Sequence, residues 1–338
     1  MGFRSFTSEA EWLAIRDEHV GGSEIASLFY RWNLDGEIVV RHMFEVVPEH
    51  ASPLGCCGPF KTGYALFMEK LGEVKAKDIS EFERIQAGTF LEPALAAWAN
   101  QKWDWKLRKV HRYSTHPTVK GWGASLDYEI HGEGQPPVEM KNVDGAIFSR
   151  EWIAERDEIV LPPLHINLQL QHQIGAVEAD HGWIVACVGG NSLKRGRIDR
   201  HEPTQVKIGQ AVAAFWEAIG KRFIPERVAD IDSVAEAYAI GDKAKTVDLT
   251  ADEQLPSIIR RYQRWNEHAG NVETYVKNLK GRIAQRMADA SRANAAGFNL
   301  TWPAVNLPAH MVPARWQDEK NYRGALYISI PKPAKGKK

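Results

Sequence analysis

Ser125-Leu126-Asp127-Tyr128-Glu129-Ile130 and Val138-Glu139-Met140-Lys141-Asn142-Val143 are the two most specific stretches of this chain. Each alternates polar and apolar residues with the period of two that a half-buried strand requires. The first sets Ala124, Leu126, Tyr128 and Ile130 against Ser125, Asp127 and Glu129; the second sets Val138 and Met140 against Glu139 and Lys141. His131-Gly132-Glu133-Gly134-Gln135-Pro136-Pro137 between them is a Gly/Pro-rich turn, so the two read as an antiparallel hairpin. Pairing gathers Asp127, Glu139 and Lys141 on one face. Two carboxylates and an ammonium at one spot suit hard divalent cations, with a lysine beside a metal-bound water. On a solvated strand the same residues would make only a salt-bridged surface.

The flanks narrow the choice. Upstream runs Gly88-Thr89-Phe90-Leu91-Glu92-Pro93-Ala94-Leu95, an acidic residue opening an apolar helical pattern. Downstream runs Leu168-Gln169-Leu170-Gln171-His172-Gln173, and near the start stands Val20-Gly21-Gly22-Ser23-Glu24-Ile25-Ala26. The Asp…Glu-x-Lys arrangement resembles the PD-(D/E)xK nuclease superfamily. The four blocks in this order, over roughly residues 6 to 190, resemble its YqaJ-type viral recombinase family, to which the lambda-type exonucleases belong. One departure is that Asp127 is followed by Tyr128 where the family commonly has glycine.

The resemblance implies an α/β fold: a PD-(D/E)xK core with a mixed central sheet flanked by helices. It implies a Mg²⁺ (or Mn²⁺) site of two ions. Asp127 would be the shared ligand, with Glu139 and the Met140 carbonyl completing one shell and Glu92 approaching from the preceding helix. Lys141 would orient the attacking water or stabilise developing charge. Without the resemblance, Glu92 reads as a carboxylate complementing a helix N-terminus ahead of Pro93. Gly21-Gly22-Ser23 at a helix start offers amides to an anion, and Arg16 can close on it with a bidentate fork. In the family, residues matching Arg16, Ser23, Ser125 and Gln169 hold the 5′-phosphate of the digested strand. Read alone, Ser23 is a plain N-cap and Gln169 a solvent-facing helix residue. Trp12 could stack on a terminal base or lie in the core. His111, His116, His165 and His172 are left out of the site.

The activity so implied is 5′-to-3′ digestion of double-stranded DNA ends, leaving 3′ single strands, in phage or prophage recombination. A single-strand annealing recombinase is the expected partner and a ring-shaped trimer the expected assembly. A structure-selective or nicking endonuclease, and a catalytically silent DNA-binding accessory, are the alternatives.

Composition sets the remaining bounds. The 338 residues carry 43 Lys plus Arg and 43 Asp plus Glu, so any basic surface for nucleic acid must be local. Cys56, Cys57 and Cys187 have no C-x-x-C spacing, which excludes a four-cysteine zinc or iron–sulfur framework and suits reduced thiols in the cytoplasm. No apolar run approaches the ~20 residues of a membrane span, and no signal pattern opens the chain.

Further elements follow from pattern. Ser8 with Glu11 predicts a capped first helix carrying Trp12 and Arg16; Glu24 to Phe29 predicts a second, and residues 31 to 62 an irregular stretch. Helices are expected from Tyr64 to Leu71, Ile79 to Lys102, Trp152 to Val160, Leu164 onward, and 204 to 222. Val110 to Tyr113 is expected as a short strand, Trp183 to Val188 as a buried central strand, and Arg197 to Arg200 as its edge neighbour. Residues 1–225 are therefore assigned to the nuclease-like domain and 226–250 to a linker. Residues 251–331 form an accessory region, and 332–338 a disordered basic tail. In the accessory region Ile258, Tyr262, Trp265, Ala269, Val272, Val276, Leu279 and Ile283 recur at spacings of four and three, a heptad seam. Arg260, Arg261, Arg264, Lys277, Lys280, Arg282 and Arg286 flank it, so it either packs within its own chain or serves DNA guidance or assembly. Short apolar runs around Trp302 and Tyr327 to Ile330 suggest a small hairpin.

Overall fold

The computed structural model describes residues 2–54, 61–76, 79–132, 134–239, 246–295 and 298–301. Cys56, Cys57, Trp302, Tyr327 to Ile330 and the tail 332–338 lie outside them. Two compact units divide the chain, Met1–Tyr238 and Ala239–Lys338.

The first unit opens with β1 (Gly2–Ser5), α1 (Glu9–Asp17), a 3₁₀ turn (Ile25–Leu28), β2 (Phe29–Leu34), β3 (Glu37–His42) and β4 (Ser52–Pro53). Helices α2 (Gly63–Lys70) and α3 (Glu83–Trp103) follow, then β5 (Leu107–Lys109), β6 (Arg112–Thr115), β7 (Gly123–Ser125), β8 (Tyr128–Ile130) and β9 (Pro137–Val143). Next come α4 (Gly145–Glu151), β10 (Ile153–Glu155), β11 (Glu158–Leu161), α5 (Leu164–Val177), β12 (His181–Val188), β13 (Ser192–Asp199), α6 (Glu202–Lys221) and α7 (Ile231–Ala237). The second unit holds α8 (Leu255–Met287) and the hairpin β14 (Arg292–Ala295) with β15 (Phe298–Thr301). No described helix is long and apolar enough to cross a membrane.

The central sheet is mixed, in the order β10-β11-β13-β12-β9-β8-β5, as the α/β expectation requires. Strand β9 runs antiparallel to β8 and parallel to β12, with Val138 beside both Tyr128 and Trp183. The apolar run of β12 sends alternate residues to two cores. Ile184 and Ala186 join Leu170 and Ile174 of α5, whereas Val185 and Cys187 join Leu95, Ala96 and Ala99 of α3. Val138 and Met140 of β9 face the α3 side. Glu139 and Lys141 therefore face α5, so the polar face of the hairpin lies under a helix rather than in water.

Helix starts follow local chemistry. Ser8 Oγ accepts from the Glu11 amide, and the Glu11 carboxylate turns back onto the Thr7 amide and hydroxyl. Thr62 and Asp144 cap α2 and α4 in the same way. At one close approach, a Cβ on Gly175 would lie 2.3 Å from both Trp122 Cζ2 and Gln205 Oε1. Trp122 is 1% exposed and cannot retreat. Gly175→Ala is expected to cost about 1–3 kcal/mol, read as a lower urea midpoint with an unchanged slope.

Several expectations are corrected. Glu24 to Phe29 forms only a 3₁₀ turn running into β2, and residues 29–42 form a hairpin rather than an irregular stretch. Trp152 to Val160 is not helical: Arg156, at φ 53°, turns β10 into β11. Strand β13 is not an edge, since β11 pairs along its far side. The linker does not begin at 226, because Val228 is buried and α7 packs on α2. Cys187 is a free, buried thiol.

Candidate active site

The first predicted strand breaks at Asp127. Strand β7 belongs to the small sheet β1-β6-β7, and β8 to the central one. Ala124 and Leu126 consequently enter the larger core while Tyr128 enters the smaller one, so the expected single apolar face is divided. At the break, Asp127 Oδ2 accepts from the Met140 amide at 2.9 Å, which fixes its carboxylate against β9. Glu129 leaves the group: it is wholly buried and ion-paired with Arg108 and, at 2.6 Å, with Arg112.

Glu139 is 3% exposed, which excludes the solvated salt-bridged surface. Its Oε1 accepts from Lys141 Nζ at 2.6 Å and from Gln169 Nε2 at 2.7 Å, and its Oε2 from Gln173 Nε2 at 2.5 Å. Lys141 Nζ also donates to Gln169 Oε1 at 3.2 Å. A buried carboxylate is tolerated when donors satisfy its oxygens, as the two glutamine amides and the ammonium do here. Burial disfavours the Lys141 charge, yet the Glu139 carboxylate more than offsets it and lifts the pKa above the ordinary lysine value. Burial, and after it the neighbouring Glu139 charge, push Asp127 up to about 7 against the Met140 hydrogen bond and Lys141. Glu92 adds to that rise.

Glu92 is not at a helix start. It lies midway along α3, just before Pro93, and its carboxylate is ion-paired with Lys109 of β5. Among the described residues no three His, Cys, Asp or Glu side chains already form a metal-binding group. The donor chemistry nonetheless fits a hard cation. Asp127 and Glu139 are hard oxygen donors, and Asp127 holds its proton to about pH 7 because it is buried beside the Glu139 charge. Glu92 would complete the set by exchanging Lys109 for the ion.

The other four residues come to the same neighbourhood by a chain of contacts. The Arg16 guanidinium lies 4.8 Å over the Trp12 ring, and Trp12 Nε1 donates to Ser125 Oγ at 2.8 Å. Gly22 backs onto α5, where a Cβ would meet Gln173 Cγ at 3.4 Å and Gln169 Cγ at 3.5 Å. Ser23 follows it, exposed. Gln169 is 8% exposed and thus not a solvent-facing residue.

The amide cradle expected at Gly21 is absent, because Glu24 Oε2 already accepts from the Gly21 amide at 2.9 Å. Glu24 Oε1 also takes Arg16 Nη2 at 3.2 Å, and Oε2 lies 3.4 Å from the buried Lys70 ammonium. Burial lowers the Lys70 pKa despite Glu24.

Sequence reasoning missed Gln173, Glu24 and Lys70. Gln173 was legible, standing four residues after Gln169 and hence on the same helix face. Nothing local marks Lys70. His172 does not bond to these side chains: its Nε2 lies 3.1 Å from the Val20 carbonyl and 2.9 Å from that of Gly123. Burial pushes it down to about 4, so it is a neutral tie between two chain segments.

Solved structures similar to this chain include an alkaline exonuclease, LHK-Exo, from Laribacter hongkongensis. It is 18% identical with a TM-score of 0.44, over 63% of this chain and 93% of that one. The same exonuclease with dAMP gives 18% identity and a TM-score of 0.43 over the same shares. SSO0001 gives 12% and 0.31, over 55% of this chain and 82% of that one. No curated protein matches the sequence. Residues 49–180 match the model of the YqaJ-like viral recombinase domain. The segment that carries Glu92, Asp127, Glu139, Lys141, Gln169 and Gln173 thus lies within the stretch that is similar to a YqaJ-like viral recombinase domain.

Proposed function

We propose that this chain is a divalent-metal-dependent deoxyribonuclease of DNA recombination that digests duplex ends from 5′ to 3′ and leaves 3′ single strands. The observation that carries the reading is the buried Glu139, held by Lys141, Gln169 and Gln173 beside an Asp127 whose pKa is about 7. Bound Mg²⁺ or Mn²⁺ would supply the Lewis acidity that activates water and neutralises charge on the phosphorus. Asp127, Glu139, the Met140 carbonyl and Glu92 would hold it. Gln169 and Gln173 fix the Glu139 carboxylate, so no reorganisation is needed as charge develops. Lys141 keeps its proton at neutral pH and presents a donor at the same edge. A single-strand annealing protein would take up the product.

The reading is tested by incubating end-labelled linear duplex beside a covalently closed circle, with Mg²⁺ and with a chelator. Digestion of the linear form alone, only with metal, supports it. Ready cutting of the closed circle would favour an endonuclease on the same core.

Arg16, Ser23, Ser125 and Gln169 are proposed to receive the 5′-phosphate. A phosphate contact positions the strand without reading sequence. Arg16→Ala is therefore expected to slow digestion of 5′-phosphorylated ends by about ten- to a hundredfold, the rate equivalent of one charge-assisted contact. Ends bearing a 5′-hydroxyl should be affected much less. Equal slowing of both would show that Arg16 serves only Glu24 and the fold.

A further inference from the structure

Helix α8 presents its heptad seam to solvent. Ile258 is 40% exposed, Tyr262 48%, Trp265 62%, Val272 60%, Val276 41%, Leu279 37% and Ile283 46%. Such a seam is the wrong surface to leave in water, and the repeat states what shape covers it: another helix with the same spacing. The only seam of this kind along the sequence is α8 itself. Residues 302–338 carry no sustained four-and-three apolar spacing.

We infer that α8 binds α8 of a second copy of this chain as a parallel two-stranded coiled coil. The charges select the orientation. With Tyr262, Ala269, Val276 and Ile283 at a, and Ile258, Trp265, Val272 and Leu279 at d, position g holds Arg261, His268, Tyr275 and Arg282. Position e holds Ile259, Asn266, Glu273 and Lys280.

A parallel pair sets Arg261 beside Asn266 of the second copy, His268 beside Glu273, and Tyr275 beside Lys280. None of these opposes like charges. An antiparallel pair that keeps the seam in step sets Arg261 against Arg282 of the second copy at both ends, which is repulsive. β-branched Val276 and Ile283 at a, with Leu279 at d, favour two strands over more. The exposed seam side chains amount to roughly 700 Å² per helix, close to the ~800 Å² per partner of a stable interface.

The test uses the full chain. Its mass by light scattering should be twice that of a Val272→Glu/Leu279→Glu variant, whose helix content should be unchanged because both positions are exposed. Equal masses would overturn the proposal, and that is the result expected if DNA or a segment of the same chain covers the seam. Register is read separately. Leu279→Cys should oxidise to a covalent pair of twice 38.0 kDa, because only the parallel pair sets this position beside its own copy. Cross-linking no greater than wild type, with its own Cys56, Cys57 and Cys187, would rule out parallel pairing.

Discussion

Lys141→Ala protein is expected to retain its fold and bind duplex ends, yet cleave them at least about a hundred- to a thousandfold more slowly, the usual effect of removing one preorganised donor. The fold should survive because Glu139 keeps two amide donors, Gln169 and Gln173. Asp127→Ala should lose cleavage altogether, since it removes the carboxylate pinned to the Met140 amide. Both are read from initial rates on labelled linear duplex, with circular dichroism to verify folding. Wild-type rates from purified Lys141→Ala protein would remove this face of β9 from consideration as the site.

In cation-free buffer, the protein should lose stability as pH rises from about 4 to about 8. Asp127 titrates at about 7 when folded against an ordinary 3.8, so between those values the folded state holds the extra proton. Its contribution is complete below the unfolded pKa and is lost as pH passes through the folded one. Over the whole range this amounts to roughly 2–4 kcal/mol. Asp127→Asn should flatten the profile and be the more stable protein at pH 8, and Mg²⁺ should restore wild type there. Urea midpoints in chelator at pH 5 and pH 8 measure both effects. A profile unchanged by Asp127→Asn would show that the two carboxylates do not share a field.

The sequence carried the carboxylates and the lysine because alternation along a strand depends only on local spacing. It also carried β12, whose unbroken apolar run needs a core on both faces. What it could not carry was the neighbour above the polar face. Alternation assigns Glu139 and Lys141 to one side of a sheet; only the parallel crossover through α5 makes that side buried. The break at Asp127 was hidden for a similar reason. Ala124 to Ile130 satisfies the period of two throughout, and the hydrogen bond that interrupts it comes from Met140, on another strand. The helix-start reading of Glu92 rested on Pro93, which α3 tolerates in its interior, as the helix expected from Ile79 to Lys102 implies. Glu24 shows the reverse error: the glycines before it suggested a free cradle, and its own carboxylate fills the Gly21 amide.

The placement of β9 between β8 and β12 also governs when the site comes into being. Tyr128 reaches Val138 across a short turn, but Trp183 reaches it only after a helix, a hairpin and α5 have been laid down. Non-local pairings of this kind form late, because closing the intervening chain costs entropy before any contact repays it. A growing chain that ends before Val188 holds Glu139 and Lys141 on a strand with one side unpaired, with Asp127 at the break beside it. A chain that ends before Gln173 also lacks the amides that aim the carboxylate. On the proposed reading, partly made copies would be unable to cut, and the capacity to attack DNA would appear only as β12 docks on β9.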